Sequence, residues 1–186
     1  MLENVCIVDV ELLHVTRQSR IIKELCIYNV PKKQLQTFMV LPSVPRRSLS
    51  QEIQSINSYI TSNIHKINYN SGDIDETSAV AVLYRTTKHQ HVFAKGYDKC
   101  RFIATLLGKC VYNLETFECP KVSDLPSTND CSCLYHPTNF LHCCQIKCLR
   151  LGRWFYPILE KYTSVTEFTG REEWFTLLAK ASVCPK

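Results

Sequence analysis

Two segments near the N-terminus of the chain are hydrophobic runs interrupted by only a few polar residues. These segments, 5–12 (VCIVDVEL) and 21–29 (IIKELCIYN), are rich in β-branched residues and are separated by the polar run 16–20. A third segment of this kind, 34–41, follows the turn signal at 29–31 (NVP). Short runs of β-formers bounded by turn residues are typical of strands, so the pattern predicts a three-stranded antiparallel meander.

The period of the hydrophobic positions changes after the third strand. Isoleucines recur every three or four residues from Ile53 to Ile64, and this spacing predicts a helix capped by Ser48 or Ser50. Further helices are predicted over 75–86, 98–107, 138–155 and 171–181, and strands over 91–94 and 110–113. Alternating helices and strands form the parallel part of a sheet. The whole order predicts an α/β fold with a mixed five-stranded sheet flanked by helices, as in the ribonuclease H-like fold.

Length and composition favour one compact domain. A chain of 186 residues with 45% hydrophobic residues buries a substantial core but has no room for a second full domain. The prediction is a single domain over 1–186, with a core at about 5–155 and a C-terminal helical extension at about 165–182. The net charge of +5 favours a polyanion as partner.

The sequence also bears on location and on cysteine chemistry. No apolar run approaches the ~18 residues that span a bilayer, and the N-terminal residues lack a signal-peptide pattern. We therefore expect a cytoplasmic or nuclear protein that is neither secreted nor bound to a membrane. In such a reducing compartment, the 11 cysteines are expected to be buried hydrophobes, metal ligands or reactive thiols and not a disulfide framework.

Two carboxylates stand at alternate positions of the first predicted strand. The period of a strand directs Asp9 and Glu11 to the same side of the sheet. Paired carboxylates can hold Mg²⁺ for phosphodiester hydrolysis, which makes a nuclease centre one interpretation. The other interpretation is an acidic pair neutralised by lysine or arginine.

Soft metal ligands cluster late in the chain. Cys133 and His136 form a Cys-x-x-His step, and Cys143 and Cys144 follow at the start of a predicted helix. Thiolates and imidazole at such spacing are typical of zinc sites. No fourth ligand completes the pattern locally, so it has to come from elsewhere in the chain.

Three other residues have a structural interpretation beside a possible functional one. Glu24, in the middle of a hydrophobic strand, is either an outward residue of a solvated face or a buried one with a partner such as a metal ion. Asp98 lies near the start of a predicted helix, where a carboxylate interacts favourably with the helix dipole. Cys148 shares a helix face with leucines and is predicted to be a core residue.

Basic residues near aromatic ones are candidates for contacts with nucleic acid. Arg46, Arg47, Lys95 and Lys99 could meet phosphates while a neighbouring aromatic ring stacks on a base. The alternative is that these are scattered solvated charges.

Taken together, these segments resemble the Maelstrom domain, a branch of the DEDDh exonuclease group, along about 150 residues from Val5 to Phe155. The matching segments are Asp9-x-Glu11, the strand at 21–25 with its glutamate, 93–107 with Lys95-Gly96-Tyr97-Asp98, and Cys133-x-x-His136 with Cys143 or Cys144. The resemblance implies a structural zinc ion held by Glu24, Cys133, His136 and Cys143, with Cys144 as the rival for the last place. It also implies that Asp9, Glu11 and Asp98 are remnants of a catalytic set.

The chain departs from an active exonuclease in its last motif. His142 is followed five residues later by Lys147 where the active enzymes carry an aspartate. An ammonium group cannot hold Mg²⁺ and is expected to neutralise Asp9 or Glu11 instead.

The first functional interpretation is therefore a zinc-stabilised domain that binds single-stranded RNA or a gene-silencing protein and lacks two-metal exonuclease activity. One alternative is a ribonuclease that cuts single-stranded RNA with Mg²⁺ or Mn²⁺ at Asp9 and Glu11. The other is a protein-interaction scaffold that binds no nucleic acid.

Overall fold

The computed structural model describes residues 4–128, 133–136, 140–164 and 168–185 of the chain. The strands are β1 (Val5–His14), β2 (Arg20–Asn29), β3 (Gln34–Leu41), β4 (Ile74–Asp75), β5 (His91–Ala94), β6 (Val111–Asn113) and β7 (Ser182–Val183). The α-helices are α1 (Gln51–Tyr59), α2 (Glu76–Thr87), α3 (Tyr97–Leu107), α4 (Cys144–Ser164) and α5 (Phe168–Ala181), and a π-helical turn at Ile60–Ile64 continues α1.

The strands form one mixed sheet of seven in the order β4-β3-β2-β1-β5-β6-β7. Strands β1, β2 and β3 are antiparallel neighbours, which confirms the predicted meander, while β5 and β6 run parallel to β1. The five predicted strands are therefore the middle of the sheet. Two further strands, β4 and β7, extend the edges, and each has only two residues, which is too short for an alternating pattern to reveal.

The two faces of the sheet are covered by different helices. On one face, Val8 and Val10 of β1 pack with residues of α2 and α3 such as Leu83 and Ile103. On the other, Val5 and Ile7 pack with α4 and α5. Since side chains alternate along a strand, the next odd positions of β1 also face α4. The carboxylates of Asp9 and Glu11 therefore lie on the α4 face.

A β-bulge interrupts the pairing of β1 with β2. Glu11 is opposite Glu24, but Leu12 is opposite Ile22, which leaves Lys23 as the extra residue. A bulge bends its strand and changes where side chains point. As a result Ile22 packs on the face of α2 and α3, whereas Glu24 lies on the face of α4.

Lys23 itself is fully buried. Its ammonium donates to the carbonyl oxygens of Val40 at 3.3 Å and Tyr69 at 3.0 Å, and also to that of Ser71. Burial lowers the pKa of Lys23 to about 8. The bulged residue thus attaches the loop around Tyr69 to the sheet.

Helix α4 begins later and ends later than predicted. It runs over Cys144–Ser164, whereas the pattern predicted 138–155, of which 138 and 139 lie outside the described residues. Pro157 lies inside the helix, although proline removes a backbone hydrogen bond there. Leu159 is buried in the same core as Phe155, so apolar packing beyond the proline explains why the helix continues.

The C-terminal helix joins the same core. Trp174 of α5 lies 6.4 Å from Phe93 and 5.7 Å from Phe117, measured between ring centroids. Strand β7 then pairs with β6, and Cys110 and Cys184 form a disulfide. The expectation that every cysteine is a core residue, a metal ligand or a reactive thiol is therefore wrong for these two, because strand pairing brings distant segments side by side.

The first helix begins as the sequence predicted. Ser50 is its N-cap, and the Ser50 side chain accepts a hydrogen bond from the backbone N–H of Ile53. Across the described part of the chain, no helix combines the length and the apolar character needed to cross a membrane.

Candidate metal centre

Three separate segments bring four ligand-type side chains together beneath α4. Glu24 comes from the middle of β2, Cys143 directly precedes α4, and Cys133 and His136 lie in the segment that leads towards that helix. One donor atom from each lies within 4.8 Å of the donor atoms of the other three. These are the four residues that the resemblance implied, and the structure brings all of them into one cluster.

The spacing of the donor atoms suits a tetrahedral ion. Cys133 Sγ lies 3.3 Å from His136 Nδ1, Cys143 Sγ lies 3.8 Å from Glu24 Oε1, and His136 Nδ1 lies 4.0 Å from Glu24 Oε1. Zinc bonds of 2.0–2.3 Å in tetrahedral geometry separate neighbouring ligand atoms by about 3.3–3.8 Å. Two thiols, an imidazole and a carboxylate at these distances therefore fit Zn²⁺ in both geometry and donor type.

The imidazole of His136 is oriented by the backbone. Its Nε2 lies 2.6 Å from the carbonyl oxygen of His65, so Nε2 carries the proton and donates to that carbonyl. This leaves the lone pair of Nδ1 facing Cys133 and Glu24. A backbone carbonyl that fixes the tautomer of a ligating histidine is the usual outer support of a metal site.

Glu24 is fully buried, which decides between its two interpretations. Its Oε1 faces Cys143, and its Oε2 accepts a hydrogen bond of 3.2 Å from the backbone N–H of Cys144 at the start of α4. Cys144 therefore meets Glu24 through its backbone, and its Sγ lies 4.0 Å from the Glu24 carbonyl oxygen. Cys143, and not its rival Cys144, belongs to the four-residue cluster.

The pKa values show how protons are distributed in this cluster. A hydrogen bond from Cys143 lowers the pKa of Cys133 to about 4, which favours the Cys133 thiolate at neutral pH. The same hydrogen bond to Cys133, together with burial, raises the pKa of Cys143. Burial raises the pKa of Glu24 to about 7. Binding of a cation here would displace the protons of Cys143 and Glu24.

A second cluster lies beside the first on the same face of the sheet. Lys147 Nζ lies 2.8 Å from Asp9 Oδ2 and also contacts Glu11 Oε1, one turn along α4 from Cys143. Lys99 Nζ lies 2.6 Å from Asp9 Oδ1 and 3.6 Å from Glu11 Oε1. Two ammonium groups thus neutralise two carboxylates, as predicted for Lys147.

The two lysines of this second cluster determine the ionisation of Asp9. Burial opposes ionisation of Asp9, but Lys147 and Lys99 outweigh it and hold the pKa of Asp9 well below its usual range. Asp9 is therefore an anion at neutral pH, and both of its oxygens face lysine ammonium groups. Asp9, Glu11 and Cys144 form a second group that could hold a cation, but Lys99 and Lys147 already pair with its two carboxylates.

The remaining predicted residues lie elsewhere. Asp98 is exposed in the first turn of α3 and lines a surface groove with Arg20 and Arg101. The following residue, Lys99, is the one that reaches Asp9, because neighbouring positions on a helix point in different directions. Asp98 therefore takes no part in the ion pairs of Asp9 and Glu11 given above, and its place in a remnant catalytic set stays a prediction.

The predicted nucleic-acid contacts do not form one surface. Lys99 is used in the ion-pair cluster, and Lys95 Nζ donates to the carbonyl oxygen of Cys119 at 3.0 Å and pairs with Glu115 at 3.6 Å. Arg46 and Arg47 are exposed ahead of α1, and Arg46 donates to Ser58 Oγ.

Sequence patterns missed two contacts around the metal cluster. His65 supplies the carbonyl that orients His136, and a backbone oxygen has no signature in the sequence. Tyr135 donates from its hydroxyl to Asp73, with O–O distances of 2.7 and 2.8 Å, which attaches the Cys133–His136 segment to the loop before β4. The position of a tyrosine between two candidate metal ligands was the only available signal.

Comparisons of the chain with protein-family models, curated proteins and solved structures found no match.

Proposed function

We propose that this chain is a zinc-stabilised, ribonuclease H-like domain, similar to the Maelstrom domain, that binds single-stranded RNA without two-metal cleavage. The observation that carries the proposal is the convergence of Glu24, Cys133, His136 and Cys143 on one point beside carboxylates that lysines already neutralise. The first cluster suits a structural cation, and the carboxylates of the second are already paired with Lys99 and Lys147.

The arrangement of the sheet supports this assignment. Its five central strands lie in the order β3-β2-β1-β5-β6, with β1 antiparallel to β2 and parallel to β5. The ribonuclease H-like fold implies this order, and the carboxylates of β1 would correspond to its first catalytic motif. The family assignment remains a proposal that rests on this topology and on the ligand set.

Glu24, Cys133, His136 and Cys143 would hold the zinc ion. A bound Zn²⁺ with four protein ligands has no open position, so it would contribute folding free energy and not a reactive water. It would connect β2, the Cys133–His136 segment and the start of α4. The thiolate of Cys133 and the oriented Nδ1 of His136 prepare the site for this role.

The charge of the chain supports the binding of RNA. The net charge of +5 and the exposed Arg46 and Arg47 favour a polyanion. The ion pairs of Lys147 and Lys99 argue against cleavage through Asp9 and Glu11, since two-metal hydrolysis needs those carboxylates for its cations.

Elemental analysis of a matched pair of variants tests the zinc site. We expect about one zinc per chain in the wild type, loss of zinc and a lower melting temperature in Cys143→Ala, and retention of zinc in Cys144→Ala. The two cysteines are adjacent and both buried, so the pair separates ligation from packing. Equal zinc contents in the two variants would contradict the assigned ligand set.

Filter binding and a cleavage assay test the RNA part. A single-stranded oligonucleotide should bind at low salt, bind more weakly as salt rises, and lose affinity in the Arg46→Gln/Arg47→Gln variant. No binding at low salt would support the scaffold interpretation instead. RNA cleavage with Mg²⁺ or Mn²⁺ that disappears in Asp9→Asn would establish the ribonuclease and overturn the non-catalytic proposal.

A further inference from the structure

A cavity of about 590 Å³ opens between α4 and the β2–β3 hairpin, apart from the four metal ligands. Its lining includes Tyr28, Lys33, Gln145, Gly152, Arg153 and Tyr156. Its size is within the range of about 300–1,000 Å³ typical of pockets for small ligands. None of the residues named above takes part in either of the clusters beneath α4.

The charge of the lining residues favours an anionic ligand. Lys33 and Arg153 are basic, and no aspartate or glutamate is among the lining residues. Lys33 Nζ lies 5.8 Å from the centroid of the Tyr156 ring, so a cation stands next to an aromatic surface. The Arg153 guanidinium donates to the carbonyl oxygen of Ser127 at 3.2 Å, which fixes its position on the same wall. The Tyr156 hydroxyl is hydrogen-bonded to Glu160, which is not a lining residue.

The ring of Tyr28 packs closely against α4. A Cβ atom on Gly152 would lie 2.2 Å from Tyr28 Cε1, so α4 approaches this ring as closely as only glycine allows. Tyr28 is buried and cannot move towards the helix. Tyr156 is on the same helix, one turn after Gly152. Gln145, whose amide carries both hydrogen-bond donors and acceptors, lines the cavity as well.

We propose that this cavity binds one nucleotide unit, with the base against the tyrosine rings and the phosphate on Lys33 and Arg153. An aromatic ring beside a cation provides both surfaces that a nucleotide needs, and an amide suits the mixed donors and acceptors of a base edge. The proposal goes beyond the RNA binding proposed above, because it names a site that does not involve Arg46 or Arg47. A free mononucleotide and one unit of an RNA strand present the same chemistry.

Calorimetric titration with adenosine 5′-monophosphate and uridine 5′-monophosphate tests the site. Lys33→Gln is matched by Lys32→Gln, which removes the same charge at an adjacent residue outside the cavity. Tyr156→Leu is matched by Tyr84→Leu, a half-exposed tyrosine on the opposite face of the sheet. Adenosine and ribose 5-phosphate separate the contribution of the base from that of the phosphate.

We expect both mononucleotides to bind, and Tyr156→Leu to weaken them roughly 5- to 100-fold through lost stacking. Lys33→Gln should weaken the nucleotides but not adenosine, and both control variants should bind like the wild type. A single-stranded oligonucleotide that competes with the mononucleotide would identify a strand as the source, and failure to compete would identify a free nucleotide. No saturable binding at millimolar nucleotide, or equal losses in Lys33→Gln and Lys32→Gln, would overturn the proposal even if the oligonucleotide bound elsewhere.

Discussion

Replacing Lys147 by methionine would leave two carboxylates with one ammonium group. Lys147 contacts both Asp9 and Glu11, its side chain is 11% exposed, and that of Asp9 is 4% exposed. Removal of one partner from a buried ion pair costs about 3–5 kcal/mol, because the remaining charge has lost its compensation. Lys99 still contacts both acids, so we expect the lower end, about 3 kcal/mol, or a fall in melting temperature of about 6–12 °C.

Urea unfolding at fixed zinc concentration measures this loss. Lys180→Met, on the surface of α5, is the control and should change stability by less than about 0.5 kcal/mol. A double-mutant cycle with Asp9→Asn should show coupling, since the asparagine removes the charge that Lys147 neutralises. Additive losses from Lys147→Met and Asp9→Asn, or a Lys147→Met protein as stable as the control, would refute the ion-pair reasoning.

The difference in stability between the wild type and Lys147→Met depends on pH. The lysines depress the pKa of Asp9 in the folded protein, so the stability that the pair contributes is present above the unfolded pKa of about 3.9 and is lost as pH falls towards the folded pKa. The difference between wild type and Lys147→Met should therefore be constant near neutral pH and shrink below about pH 4. A difference that grows on acidification would show that Lys147 acts through another partner.

Two further predictions concern packing and the disulfide. Gly152→Ala should destabilise the protein by about 1–3 kcal/mol through the clash with Tyr28, as measured by urea unfolding, and Gly152→Ala with Tyr28→Leu should recover part of that loss. Cys110→Ser/Cys184→Ser should lower stability by up to about 4 kcal/mol, because the disulfide closes a loop with a sequence separation of 74. An unchanged melting temperature in this variant, or in wild type treated with a reductant, would contradict the second prediction.

The middle of the sheet could be predicted because polar runs, turn signals and predicted helices bound its β-forming segments. Runs of β-forming residues separated by polar and turn segments predicted the meander, and the two-residue period of a strand placed Asp9 and Glu11 on one face. The metal cluster was accessible for a different reason. The chemistry of Cys133, His136 and Cys143 is distinctive in a sequence, whereas Glu24 entered the set only through the family resemblance.

Other features depend on contacts between segments that are distant in the chain. The use of Lys99, and not Asp98, in the carboxylate cluster depends on the rotation of α3 relative to β1, and a difference of one residue reverses it. The pairing of Cys110 with Cys184 requires β7 to lie beside β6, and a two-residue strand has no period to detect. Helix α4 continues past Pro157 because tertiary packing of Leu159 outweighs a local signal to stop.

Because Lys23 is an extra residue in the pairing with β1, the alternation of side chains between the two faces of the sheet shifts by one residue at this point of β2. Even-numbered side chains from Glu24 onwards face α4, while Ile22 faces the other layer. Deletion of Lys23 would restore regular pairing with Ile22 still opposite Leu12 and on the same face, but it would remove the cation that retains the Tyr69 loop. The insertion therefore supplies a buried ammonium group for the loop without changing which side chains each layer receives.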